Sequence, residues 1–124
     1  MVVWKVFRRD GDRLCSAIPW ERHTLWYTPG EWTEAVEGKL FAFDRAEEAV
    51  RFARSRSILH RMEVWVCEAS DDAEWPAWVG SSEESFALYW RGDLHFVTRP
   101  PCGTVLVSGV RPLRQVYGED RSVL

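Results

Sequence analysis

Cysteine and histidine are the side chains that most often hold metals or attack substrates. Cys15, Cys67 and Cys102 lie far apart, no CxxC pair exists, and His23, His60 and His95 are scattered. Metal-ligand spacing is therefore absent, and the three thiols are expected to be small buried or semi-buried groups. Serine chemistry has no support either. No GxSxG elbow exists, and Ser108 before Gly109 reads as a strand-end serine. The glycine patterns that cradle phosphates, GxGxxG and GxxxxGK[ST], are missing. The clustered acids Asp71, Asp72 and Glu74 read as a solvated loop, and Glu83 and Glu84 as a helix start. No catalytic residue, metal or cofactor is expected from these patterns.

Two other groups of residues carry chemistry suited to binding. Arg51, Arg54, Arg56 and Arg61 could form a basic strip for phosphate or nucleic-acid contact, although a solvated helix face explains them as well. The tryptophans are the stronger clue, since there are eight in 124 residues. Indoles bury large areas and dominate both cores and interfaces, and a chain this short is not expected to hide eight. Trp4 and Trp65 fall in strand patterns and are assigned to the core or a sheet face. Trp20, Trp32, Trp75 and Trp78 fall in loops or turns, and Trp90 is intermediate. These five are the candidate lining of a partner groove.

The elements that must position them follow from periodicity and punctuation. Residues 2–8 alternate and are β-branched or aromatic, which predicts a strand. Asp10-Gly11 turns it into a returning strand over 13–18, ended by Pro19. A short strand over 25–28 meets Pro29-Gly30, a type II turn signal. Residues 31–37 fit either a short strand or one helical turn, and 40–43 form an apolar strand. Asp44, with Glu47 three residues on, has the spacing of a capping box. Ala46, Ala49, Val50 and Ala53 then recur at helical spacing, with acids early and arginines late, predicting a helix over 45–56.

Strands are expected over 62–69 and 94–98. A helix is expected over 82–90, with a strand over 86–90 as its competitor. A further strand over 104–110 has a glycine that marks a bulge. Pro112 interrupts it, and a short edge strand over 113–117 follows. Residues 118–124 read as a frayed tail.

The turn Pro29-Gly30-Glu31-Trp32, the segment from Gly38 to Phe43, the helix residues Ala49, Phe52 and Ala53, and the closing VRPLRQV together resemble two things. One is a group of small phage and bacterial domains that share a PGEW turn, a strand and the same helix. The other is the strand-into-helix unit of ADP-ribosyltransferase-like folds. The first resemblance implies a small, phage-derived protein, and the second an NAD-binding enzyme. This chain departs from active transferases. Phe41 and Phe43 stand where a polar site residue is wanted, and no late ExE or QxE is present.

Length, with 46% hydrophobic and 28% charged residues, bounds the rest: one globular domain over residues 1–124. The expected class is α+β, a twisted, mainly antiparallel sheet with one or two helices packed on one side. A net charge of −3 argues against a general nucleic-acid binder. No apolar run reaches a membrane span and the N-terminus does not read as a signal peptide, so a cytoplasmic location is expected. The sequence thus points to a non-enzymatic protein that binds another protein through an aromatic-rich surface. The alternatives are a divergent NAD-binding enzyme and a nucleic-acid-associated factor. An edge strand near Leu113 would allow two copies to pair as a homodimer.

Overall fold

The computed structural model describes residues 1–17, 25–56, 61–77, 79–80 and 97–118. In chain order these form β1 (Val2–Asp10), β2 (Arg13–Ser16), β3 (Trp26–Tyr27), β4 (Thr33–Glu34) and β5 (Leu40–Phe43). Helix α1 (Ala46–Arg56) follows, then β6 (Met62–Ala69), β7 (Val79–Gly80), β8 (Val97–Thr98), β9 (Thr104–Val107) and β10 (Gly109–Tyr117). The architecture is α+β-like, with one helix among the described residues and every strand pairing antiparallel.

The pairings return on themselves. β1 pairs along its length with β6, and β6 pairs with β10. β9 precedes β10 with only Ser108 between them, and β9 pairs with β5. β5 meets β1 through a single pair, Trp4 with Phe43. The result is nearly a barrel, whose narrowest seam is that one pair. β2 and β3 extend the sheet from the other half of β1, and β4 lies outermost beside β10.

Strand alternation sorts side chains to the two faces. Val3, Phe7, Leu40, Ala42, Cys67, Ala69, Val105, Val107 and Val110 form one buried cluster. Val6, Phe41, Phe43, Met62, Val64 and Leu106 form the other, and there Ala49, Phe52 and Ala53 of α1 join them. Burying a side chain such as Phe52 contributes about 2–3 kcal/mol. Lys5 shares the first face and is fully buried. Its ammonium donates to the Phe41 carbonyl at 2.7 Å and lies 5.8 and 5.6 Å from the rings of Phe7 and Tyr27. Burial also pushes the Cys67 thiol up to about 12, so it behaves as an inert apolar group.

Several expectations need correction. Asp44 does not cap α1. The first helical hydrogen bond runs from Ala49 N–H to the Arg45 carbonyl at 3.3 Å, so Arg45 occupies the cap position. Asp44 Oδ2 instead accepts from Trp75 Nε1 at 3.0 Å, while Oδ1 has no hydrogen-bond partner among the described residues. Of the two readings for 31–37, the strand holds, and only at Thr33–Glu34, as β4. The predicted 104–110 strand breaks at Ser108, and β10 runs through Pro112 to Tyr117.

Proline is tolerated in β10 because its carbonyl, and hence its ring nitrogen, faces away from β6. That carbonyl accepts from Gly30 N–H at 2.8 Å. Residues 113–117 are not a separate strand, since they continue the β10–β6 ladder, but they do lie at an edge, because β4 pairs only with Gly109 and Val110. Two register shifts there, between Pro112 and Arg114 and between Gln115 and Tyr117, leave Leu113 and Val116 as the extra residues. The helix or strand expected over 82–90 and the tail 119–124 lie outside the described residues, as do residues 18–24.

Candidate functional site

The Pro-Gly turn forms as its residue types require. Glu31 N–H donates to the Thr28 carbonyl at 3.0 Å and Gly30 adopts φ 83, the type II pattern. The turn delivers Trp32 onto the start of β10. A Cβ at Gly109 would sit 2.7 Å from the indole of Trp32, so only glycine leaves room for the ring. Trp32 Nε1 donates to Glu34 Oε1 at 3.2 Å, and 45% of the residue stays exposed.

Trp75 follows the Glu74–Leu106 bridge and reaches the entrance of α1. Its bond to Asp44 fixes a residue that is 58% exposed. Asp44 N–H in turn donates to the Gly103 carbonyl at 2.9 Å, just before β9 begins. Trp32 touches Gly109, just after β9 ends. The anchor points of the two rings therefore lie at opposite ends of β9, on the order of 15 Å apart. No contact among the described residues joins them. Trp20, Trp78 and Trp90, the other three groove candidates, lie outside the described residues.

A third exposed indole was not singled out from the sequence. Trp26, on β3, is 43% exposed and carries the Arg13 guanidinium 4.2 Å from its ring centre. The register of β2 against β3, Cys15 opposite Trp26, brings Arg13 near it. Trp4 and Trp65 are partly buried against the two clusters.

The arginine strip does not stand as a row of unoccupied cations. Arg51 Nη1 lies 3.6 Å from Glu48, Arg54 stacks 5.8 Å from the Tyr117 ring and Arg56 5.0 Å from Phe52. Arg51 and Arg54 share a shallow depression along α1 with Ala46, Glu47 and Val50, so one acid accompanies the two bases there. Arg61 precedes β6, and its carbonyl accepts from Arg9 N–H at 2.8 Å.

The acidic loop is exposed as expected, and Asp72 in addition has a dense set of partners. Ser70 Oγ, Ser108 Oγ and the Ser108 amide all donate to its carboxylate. Lys39 Nζ lies 3.4 Å from it and 3.2 Å from Glu74. Hydrogen bonds from Ser108 and Ser70 hold its carboxyl well below the usual carboxylate range. This cluster clasps the bend between β9 and β10. Its lysine is paired with carboxylates rather than poised as a base, so it does not make Ser108 a nucleophile.

Of the thiols, Cys15 and Cys67 are buried as expected, whereas Cys102 is exposed beside Arg45 Nη2 at 3.4 Å. Among the described residues no group of three His, Cys, Asp or Glu side chains is placed to hold a metal. No helix among them is long and apolar enough to cross a membrane. No family model matches this chain, and no curated protein or solved structure matches it.

Proposed function

We propose that this chain is a small non-enzymatic binding protein of the cytoplasm, a single α+β domain with its helix on one side of the sheet. Its partner is another protein, engaged through exposed tryptophans. One observation carries the reading. Trp26, Trp32 and Trp75 are each about half exposed, and each is pinned by a polar neighbour: Arg13, Glu34 and Asp44. A ring already fixed in place loses little conformational entropy on binding, which is what an interface anchor requires. Three unpaired cysteines suit a reducing compartment.

The test is affinity capture of a partner from cells with the wild-type chain and with the Trp32→Ala and Trp75→Ala variants. Capture is expected to fall at least about tenfold in one or both, as for interface anchors. Capture unchanged in both variants would sink the proposal. A rise in Tm with NAD, or salt-sensitive retention on nucleic acid, would move the assignment to the corresponding alternative.

A further inference from the structure

Trp32, beside β4, and Trp26, on β3, lie at opposite ends of the sheet, and their surfaces differ in charge: Glu31 and Glu34 flank Trp32, whereas Trp26 carries Arg13. Among the described residues β4 is the last strand beside β10, with no strand on its far side. Ala35 N–H donates to the Ser108 carbonyl at 2.8 Å, and Glu34 lies opposite Gly109. In an antiparallel ladder, hydrogen-bonded and non-bonded pairs alternate, so the N–H and C=O of Glu34 point outward, away from β10. Trp32, Glu34 and Val36 follow at every second residue and are all exposed, Val36 at 68%. Glu31, in the turn beside them, is exposed too. Neither Glu31 nor Glu34 forms an ion pair among the described residues, although Asp72, Glu74 and Glu48 elsewhere each do.

We infer that the β4 edge accepts an extended, cationic segment of a partner protein, which adds as a strand beside Thr33–Glu34. Its lysine or arginine side chains meet Glu31, Glu34 and the face of Trp32. Main-chain groups of Glu34 supply the pairing, the carboxylates supply the charge preference, and an indole face attracts a guanidinium or ammonium. The bond from Trp32 to Glu34 and the platform at Gly109 hold this surface ready. A second copy of the chain is disfavoured as occupant, because pairing β4 antiparallel with itself about Glu34 would set Glu34 against its own counterpart and Glu31 against Glu37. This inference rests on the protein-binding reading above and names the partner's chemistry.

The test uses the full chain and two alternating peptides of about eight residues, one of Arg and Thr and one of Glu and Thr. Tryptophan emission reports binding, and amide exchange reports pairing. The Arg-Thr peptide is expected to bind, to slow exchange at the Glu34 amide, and to weaken at least about tenfold in the Glu31→Gln/Glu34→Gln double variant and at raised salt. Glu31 and Glu34 are exposed, so that variant keeps its fold, which an unchanged Tm confirms.

Three results would each overturn the inference: no binding of the Arg-Thr peptide, equal binding of the Glu-Thr peptide, or binding indifferent to the double variant. Slow Glu34 exchange without peptide, deepening as protein concentration rises, would assign the edge to a second copy and overturn it as well. A captured partner that depends on Trp32 but not on Glu31, Glu34 or salt would leave the protein-binding proposal standing while removing this one.

Discussion

Truncating Arg9 would strip the Glu63 carboxylate of its two strongest bonds. Arg9 Nε and Nη2 reach Glu63 Oε2 and Oε1 at 2.6 and 2.7 Å, and the glutamate side chain is 3% exposed. Burial alone would push the Glu63 carboxyl up. The bonds from Arg9 and from Trp65 Nε1, with the charges of Arg9 and Arg61, more than reverse this and hold it below its ordinary value. A carboxyl depressed in the folded state adds stability that is complete above about pH 4.3 and drains as pH falls through the folded value. Arg9→Ala leaves the charge buried with only part of its support and is expected to cost about 3–5 kcal/mol near neutrality, read from urea midpoints. The gap to wild type should narrow in acid, since the orphaned carboxyl can take up a proton. A gap that widens as pH falls would contradict this account.

At the scale of elements, helix α1 shows what sequence can and cannot convey. Its extent, Ala46–Arg56 against an expected 45–56, was legible because Ala49, Phe52 and Ala53 recur at the spacing that buries one face. Its cap was not legible. Asp44 is diverted by an indole donor thirty-one positions along the chain, and no local rule contains Trp75. The cap position falls to Arg45, which has no side-chain oxygen to offer the first amides. Arg45→Ser is therefore expected to stabilise the protein by about 0.5–1 kcal/mol, measured as a rise in urea midpoint. No change or a loss would mean that the contacts of Arg45 with Glu48 and Cys102 outweigh a proper cap.

The same limit explains the site. Loop indoles at 32 and 75 could be read as exposed from their turns, but their anchors Glu34 and Asp44 could not be read as anchors. Trp26 was missed because its exposure is set by strand pairing with β2. Pro112 misled in the other direction, because whether a proline breaks a ladder depends on which edge its nitrogen faces. Strand β10 is also a poor place for two copies to join. Pro112 offers no donor there, and bulges at Leu113 and Val116 spoil the register an intruding strand would need.

For the molecule as a whole, closure depends on the bend at Ser108, where one run of chain leaves β5 and turns to β6. Asp72 holds that bend with bonds from both serines and the Ser108 amide. Its side chain is 42% exposed, so solvent screens part of their worth. Asp72→Ala is expected to cost roughly 1–2 kcal/mol and to speed hydrogen exchange in the β5–β9 ladder more than in β1–β6. Equal effects on both ladders would show that the clasp does not act on closure. Because hydrogen bonds hold the Asp72 carboxyl low, the clasp should persist through mild acid and open only well below about pH 4.

The nearly closed ring also sets an order of events during synthesis. β1 is made first, yet beyond its hairpin with 13–16 its partners are residues 40–43 and 62–69, and theirs are 104–107 and 109–117. Until the last of these leave the ribosome, β5 and β6 each present a bare, apolar flank. Such a chain folds late and all at once, as distant pairings generally impose. A ribosome stalled before residue 104 would hold a sticky half-barrel, a target for chaperones rather than a folding intermediate with a life of its own.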